Sequence, residues 1–250
     1  MLDRVLNHPD LAVQAALYQR DLGVDWLMQD QPRDLTRGDP AVTAPQEPPK
    51  QVVAKPQTLE ALYAAIEAFE GCVLKETAMN TVIYDGNPGA KIMLVGEAPG
   101  ADEDRQGKPF VGVSGQLLDK MLAAIGLDRS QVLITNMVFW RPPGNRKPSP
   151  NEVAACLPFT RQHIALVNPS AIAFVGGLSA QSLLDSKTGI TRLRGNWMTY
   201  EDAELGLRIP ALPMLHPAYL LRQPKQKREA WLDMLSFKSK LRELGLIATV

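Results

Sequence analysis

Four short apolar runs, separated by segments with helical spacing, constrain the fold of this chain more than any other feature. Each run ends in a small or polar residue, as buried strands do where they lead into loops. Strands that alternate with helices favour a mostly parallel sheet covered by helices on both faces. We therefore predict an α/β fold of three layers, α/β/α, around a mostly parallel four-stranded sheet formed by residues 91–96, 131–136, 170–177 and 211–216.

Three polar loops follow strands of this predicted sheet. They span residues 97–112, 136–147 and 216–222. In open parallel sheets, ligands bind beyond the carboxyl ends of the strands. We therefore expect these three loops to meet and to form the functional site.

The first 57 residues differ in composition from the rest of the chain. Residues 10–28 mix apolar and polar positions in a pattern typical of one or two short helices, whereas residues 29–57 contain six prolines. We predict an N-terminal helical segment over residues 1–28, a Pro-rich linker over 29–57 and one folded domain over 58–250. The N-terminal segment either tethers a partner protein of DNA repair or replication or folds back on the domain, and the sequence does not choose.

Composition limits the partners and the compartment. The 27 basic and 27 acidic side chains balance, so affinity for a polyanion must come from local basic clusters. Residues 1–14 lack the pattern of a secretory signal, and no apolar run approaches the ~20 residues that span a bilayer. We expect a cytoplasmic protein without membrane contact. Cys72 and Cys156 are the only cysteines, too few for a disulfide framework or a Cys-only metal site.

Ordered motifs occupy the three loops. They are VGEAPGADEDRQGKPFVG (95–112), TNMVFWRPPGNRKPSPNE (135–152), LRG (193–195) and HPAYLLR (216–222). Together they resemble the family 4 uracil-DNA glycosylases, over about residues 71–231. The resemblance implies a catalytic domain over 58–250 that hydrolyses the N-glycosidic bond of a flipped deoxyuridine in DNA, which starts base excision repair.

Three residues are candidates for the chemistry. Hydrolysis of an N-glycosidic bond needs negative charge and a water near the sugar, and donors near the base oxygens. The resemblance implies that Glu97 positions water or stabilises the sugar cation, and that Glu103 is a pocket acid beside the base. The sequence does not separate these two roles, and a solvated loop position is the alternative for Glu103. His216 matches the donor to uracil O2 as charge builds on the leaving base.

Substrate binding is predicted for Ala98, Phe110 and Asn136. The Asn136 amide can donate to uracil O4 and accept from N3–H, a pairing that cytosine cannot satisfy. Phe110 can stack on the flipped base. Without a ligand role, Asn136 would be a turn former and Phe110 a core residue.

Basic clusters and one apolar loop are predicted to hold the DNA, single- or double-stranded. The resemblance implies that the loop after His216 enters the groove, with Leu220 or Leu221 as the wedge in the vacated space. The alternative is that these basic residues are solvent-exposed loop charges without a DNA contact. We expect the protein to act as a monomer. The residues expected to contact DNA are Arg141, Arg146, Lys147, Arg194, Tyr219, Leu220, Leu221 and Arg222.

A cluster motif is incomplete in this chain. Family 4 members usually hold a [4Fe–4S] cluster on four cysteines; here Cys72 and Cys156 match two of them, while Phe69 and Trp140 occupy the other two positions. Because such clusters need four ligands, we predict no cluster, no other cofactor and no metal. A cluster completed by His163 is the weaker alternative.

Two other functions are alternatives to a uracil-DNA glycosylase. One is a protein that binds uracil-containing DNA as a sensor, with little or no turnover. Superfamily relatives that attach to the abasic sugar use a His in a basic insertion, whereas residues 139–150 contain neither a His nor an insertion. The other is nucleotide binding by residues 96–112, which lack the GK[ST] ending of a P-loop.

Overall fold

The computed structural model of the chain describes residues 56–248. The predicted helical segment over residues 1–28 and nearly all of the linker over 29–57 lie outside the described residues. The predicted division into segments therefore stays a prediction, and the fold below is that of residues 56–248.

A six-stranded sheet forms the centre of the described chain, in the order β1-β3-β2-β4-β6-β5. The four inner strands are parallel, and the edge strands β1 and β5 pair antiparallel with their neighbours. The predicted α/β architecture and its four parallel strands are confirmed, and two edge strands are added to the predicted four. The strands are β1 (Tyr84–Gly86), β2 (Ile92–Gly96), β3 (Leu133–Asn136), β4 (Ala171–Val175), β5 (Met198–Asp202) and β6 (Leu207–Met214).

Helices connect the strands and cover the sheet. No described helix is both long and apolar enough to cross a membrane. Single 3₁₀ turns lie at Val73–Glu76, Pro143–Asn145 and Pro224–Gln226. The helices are α1 (Leu59–Ala68), α2 (Ala101–Gln106), α3 (Val113–Ala124), α4 (Pro150–Val167), α5 (Gly177–Leu183), α6 (Ile190–Leu193), α7 (Pro217–Arg222) and α8 (Lys227–Glu243).

Each face of the sheet buries its own apolar cluster. Along β2, Met93 and Val95 belong to one cluster, while Ile92 and Leu94 belong to the other. This alternation follows from the period of two in a strand, where successive side chains point to opposite faces. Burial of each such side chain contributes about 1.5–3 kcal/mol, so both faces fix the register of the inner strands.

Local capping sets where helix α4 begins. The Ser149 hydroxyl accepts a hydrogen bond from the backbone N–H of Glu152 (3.3 Å), and the Glu152 carboxylate accepts one from the Ser149 N–H (2.7 Å). Pro150 occupies the first helical position, where a missing N–H costs nothing. This capping box fixes the end of the loop that carries the RPPGNRK motif.

Candidate active site

A cleft of about 840 Å³ opens where the parallel strands end. Loops after β2, β3, β4 and β6 supply its walls, in agreement with the expectation that ligands bind beyond the carboxyl ends of such strands. The six predicted catalytic and substrate-binding residues all line this one cleft: Glu97, Ala98, Glu103, Phe110, Asn136 and His216.

Glu97 follows β2 directly and points its carboxylate into the cleft. One oxygen, Oε1, accepts a hydrogen bond from the backbone N–H of Leu178 at the start of α5 (3.0 Å). The other oxygen, Oε2, makes no hydrogen bond to any residue between 56 and 248. The carboxylate is therefore held at one end and open at the other, which suits an acceptor that orients a water molecule.

Glu103 uses its carboxylate to shape the cleft wall. Oε1 accepts hydrogen bonds from the backbone N–H groups of Val111 (3.0 Å) and Gly112 (2.9 Å), and Oε2 accepts one from Gly100 (3.1 Å). Its side chain is buried between these loops. These bonds tie the two ends of the loop 100–112 together, and the predicted catalytic role of Glu103, which lines the cleft, stays a prediction.

Asn136 ends strand β3 with a side-chain amide that is nearly sealed from solvent, at 2% exposure. No hydrogen bond among residues 56–248 involves this side-chain amide, which lines the cleft and is not one of the fully sealed polar groups without a partner. Buried amides are normally paired, so a free one lining a cleft is a group kept for a ligand. Gly96 lies beside it, and a Cβ added there would lie 2.3 Å from Asn136 Oδ1, so only glycine leaves room.

The Phe110 ring forms the floor of the cleft next to Asn136. It stacks on the His216 ring, with ring centroids 5.4 Å apart and planes inclined by 26°. Its backbone has φ of +54°, a left-handed conformation that bulky residues rarely adopt. An aromatic face fixed in this position can stack on a flat base.

His216 caps the short helix α7. Its Nδ1 accepts a hydrogen bond from the backbone N–H of Ala218 (3.1 Å), so the proton of the neutral ring is on Nε2. Burial lowers the pKa of His216, the nearby Glu97 carboxylate raises it, and the positive charge of Arg222 lowers it again. The net depression keeps the imidazole neutral at pH 7 with Nε2–H as its donor.

Two of the arginines predicted to bind DNA are instead occupied by carboxylates. Arg194, only 16% exposed, donates to Asp233 (2.9 Å) and to the Glu229 carboxylate (3.0 Å), and so fastens the LRG motif to helix α8. Arg146 forms a two-pronged ion pair with Glu152, at 2.6 and 2.8 Å. Both arginines thus hold loops in place, and the phosphate contacts predicted for them stay predictions.

Two of the other predicted DNA contacts are unpaired cations at the rim, whereas Arg141 lies 4.0 Å from the Asp104 carboxylate. Lys147 and Arg222 line the cleft and form no ion pair with any carboxylate in the described part of the chain. Tyr219 also lines the cleft. Arg141 lies outside the lining and donates from Nε to the Asn145 side chain (2.7 Å). Cations suited to phosphate contacts therefore flank the opening.

Helix α7 separates the two leucines proposed as a wedge. Leu220 is buried, at 1% exposure, in a small apolar cluster with Leu215 and Ala230. Leu221, at 41% exposure, projects from the protein. Of the two predicted alternatives, the structure leaves only Leu221 in a position to enter DNA.

The side chains at the cluster motif do not fit a four-ligand iron–sulfur group. Phe69 and Trp140 occupy two of the four ligand positions, and their rings stack with centroids 6.3 Å apart. The Cys72 and Cys156 thiols are both buried, and the interaction between them lowers the pKa of Cys72 and raises that of Cys156. His163 instead hydrogen-bonds to Tyr63 (3.1 Å). Among residues 56–248, no three His, Cys, Asp or Glu side chains are grouped to hold a metal ion.

The sequence prediction missed one wall of the cleft. The loop after β4 contributes Leu178, whose N–H anchors Glu97, and residues 189–191 also line the opening. The Gly176-Gly177 pair could have predicted this wall. It follows β4, an inner strand that lies between β2 and β6. Every loop that follows an inner parallel strand must open on the same edge of the sheet.

Comparisons with known proteins agree with this geometry. The family model described as the uracil DNA glycosylase superfamily matches residues 83–235. The chain is 39% identical to the type-4 uracil-DNA glycosylase of Archaeoglobus fulgidus, over 69% of this chain and 88% of that protein. It is 37% identical to the type-4 uracil-DNA glycosylase of Pyrobaculum aerophilum, over 72% of this chain and 92% of that protein. The chain therefore belongs to the uracil-DNA glycosylase superfamily, among its type-4 members.

Proposed function

We propose that this chain is a uracil-DNA glycosylase that hydrolyses the N-glycosidic bond of a deoxyuridine flipped out of DNA. One observation supports this most strongly: the Glu97 carboxylate, the Asn136 amide and the His216 imidazole converge on one cleft with an aromatic floor. The family relatives that share this part of the chain are named for the same activity. The product would be an abasic site, which starts base excision repair.

His216 stabilises the leaving base in this proposal. As the bond between base and sugar breaks, negative charge accumulates on the uracil oxygens. Nε2–H is the donor that the bond from Ala218 to Nδ1 leaves available. A preorganised donor of this kind contributes about 2.7–4 kcal/mol, which corresponds to a 10²–10³-fold effect on kcat.

Glu97 acts on the sugar side of the bond. Its anchored carboxylate orients a water molecule towards C1′ and stabilises the positive charge that develops on the sugar. The anchoring bond from Leu178 is made by the backbone, so it persists through substitutions of the Leu178 side chain.

Asn136 selects the base. Its amide donates to O4 and accepts from N3–H of uracil, whereas cytosine presents a donor and an acceptor in the opposite places. A site that buries an unpaired amide rejects the wrong base strongly, because that base would leave the amide unsatisfied. The 2% exposure of Asn136 makes this penalty large.

The DNA is held at the cleft rim in this proposal. Lys147 and Arg222 contact phosphates, and Leu221 fills the space that the flipped nucleotide leaves. Flipping costs a few kcal/mol in a duplex and less in a single strand, so both are substrates in principle.

We further propose that the chain acts as a monomer and without an iron–sulfur cluster. The stacked Phe69 and Trp140 rings support the second point, since two large aromatic side chains occupy the positions of the two absent cysteines. None of the residues that line the cleft is a cysteine, so the chemistry above needs no group at the cluster motif.

Labelled oligonucleotides test the activity. The wild type is incubated with end-labelled strands that contain uracil, hypoxanthine or thymine, and alkali then cleaves any abasic site formed. We expect cleavage at uracil, together with losses of about 10²-fold or more in His216→Ala and Asn136→Ala. Unchanged rates in both variants would refute this site, and binding of uracil-containing DNA without cleavage would favour a sensor.

A further inference from the structure

Arg129 lies outside the cleft, yet its guanidinium holds the backbone beneath the cleft floor. Its Nη1 donates to the Pro109 carbonyl oxygen (3.2 Å), and its Nη2 donates to the carbonyl oxygen of Phe110. The side chain reaches this loop from a position 19 residues further along the chain, at only 24% exposure. It thus tethers the two residues that immediately precede the turn into helix α3.

Every donor of this guanidinium is occupied. Nε and Nη2 donate to the Asp119 carboxylate at 2.8 and 3.3 Å, and Nη1 also donates to Asp85 at 2.6 Å. Arginine has five N–H donors in a rigid fork, and Arg129 makes five contacts. The two carboxylates fix the guanidinium from α3 and β1, and the remaining donors then fix the loop.

The position that Arg129 holds is a strained one. Phe110 has φ of +54°, which is costly for a residue with a large side chain and persists only where the surroundings enforce it. On the opposite side, a Cβ added to Gly115 would lie 1.7 Å from the Phe110 carbonyl oxygen. That carbonyl is therefore confined between a glycine of α3 and the guanidinium of Arg129.

The strain places the aromatic ring. The Phe110 ring lies over Gly96 and stacks on His216, next to the Asn136 amide. If the peptide relaxed to an ordinary φ, the ring would leave this place. We propose that Arg129 is a positioning residue that locks Phe110 as the stacking platform for the flipped base. This inference rests on the proposed function, because it assigns a role within the same site.

A double-mutant cycle tests the proposal. Arg129→Lys keeps the charge, but a single ammonium group cannot reach two carboxylates and two carbonyl oxygens at once. We expect kcat on uracil-containing DNA to fall about 10- to 100-fold, with a smaller change in KM. In a Phe110→Ala background, the same substitution should cause little further loss, because the group that Arg129 positions is already absent.

Arg161→Lys is the matched control. Arg161 is a comparable two-pronged arginine, donating to Asp202 at 2.7 and 2.9 Å, but it lies away from the cleft lining. Its variant should lose stability and keep kcat. Equal losses of kcat in both lysine variants, or fully additive losses in the cycle, would overturn the proposed role of Arg129.

A readout independent of activity separates this inference from the function. In protein labelled at phenylalanine, NMR should show one sharp set of Phe110 signals in the wild type and in Arg161→Lys, and broadened or multiple signals in Arg129→Lys. Unchanged Phe110 signals in Arg129→Lys would refute the proposal that Arg129 positions Phe110, even if the enzyme is active. An inactive wild type with the expected NMR change would instead refute the proposed function alone.

Discussion

Single side chains in this site are fixed by backbone groups, and this is clearest for His216. The Ala218 N–H occupies Nδ1, and burial depresses the pKa of the imidazole. The ring is therefore a fixed neutral donor, and no proton needs to be gained or lost for it to bind the base.

The pH dependence of the reaction follows from that depression. A histidine of ordinary pKa would become protonated below about pH 6.5. Because the pKa of His216 is lower, we expect kcat/KM to stay level through pH 6.5 and to fall only at more acidic pH. Profiles of the wild type and His216→Ala check this, since the variant should lack the fall that belongs to His216. A wild-type fall centred at or above pH 6.5 would contradict a neutral, half-buried imidazole with a lowered pKa.

How much could be predicted at the residue scale depended on where the partner lies in the chain. Glu97, Asn136 and His216 stand directly after apolar runs, so strand order alone brings them together. Arg194 was predicted to bind DNA from its basic motif, and its partner Asp233 lies 39 residues away, a pairing that no local pattern reveals. The role of Arg129 is likewise hidden in the sequence, because Pro109, Phe110 and Asp85 lie 20, 19 and 44 residues away.

Elements were predictable where their apolar pattern was strong. The inner strands are continuous buried runs, which sequence patterns identify well. The edge strand β1 has only three half-buried residues, and β5 exposes Thr199 and Glu201 and buries the charged Asp202. Edge strands of this kind leave no apolar run, so the predicted sheet lacked both of them.

Helix α7 offers a prediction about the wedge. Adjacent leucines on this one helix face opposite environments, with Leu220 at 1% exposure and Leu221 at 41%. Leu220→Ala should lower the free energy of unfolding by about 2–5 kcal/mol, because it leaves a cavity. Leu221→Ala should leave stability nearly unchanged and should slow uracil release from duplex DNA more than from single strands.

Denaturant unfolding and paired duplex and single-strand assays measure these two effects. The two variants act as controls for each other, since the same side chain is removed one residue apart. Equal rates on duplex DNA for the wild type and Leu221→Ala would exclude Leu221 as the group that replaces the flipped base.

At the scale of the whole molecule, the balance of charge limits how DNA is held. With 27 basic and 27 acidic residues, attraction must come from the unpaired cations at the rim. Each phosphate contact that is lost should reduce the slope of log K against log salt concentration by about 0.9 on duplex DNA. We expect that reduction in Lys147→Ala and in Arg222→Ala, and an unchanged slope in Arg194→Lys, whose parent arginine is paired with carboxylates.

Titrations of fluorescent duplexes at several salt concentrations give these slopes. A reduced slope in Arg194→Lys, with its fold intact by circular dichroism, would show that this arginine leaves its carboxylate partners to contact a phosphate.

The stability of the whole domain should be independent of iron. If aromatic packing takes the place of a cluster, the buried rings stabilise this part of the domain. Trp140 is 1% exposed and stacks with Phe69. Trp140→Ala should therefore cost about 3–5 kcal/mol, whereas Trp231→Ala, at a position 43% exposed, should cost far less. A chelator should leave the Tm of protein purified without oxygen unchanged. A chelator lowers the Tm only where a bound metal stabilises the folded protein. Stoichiometric iron and sulfide in such protein, together with a Tm that falls on chelation, would show that Cys72 and Cys156 still hold a cluster with other ligands.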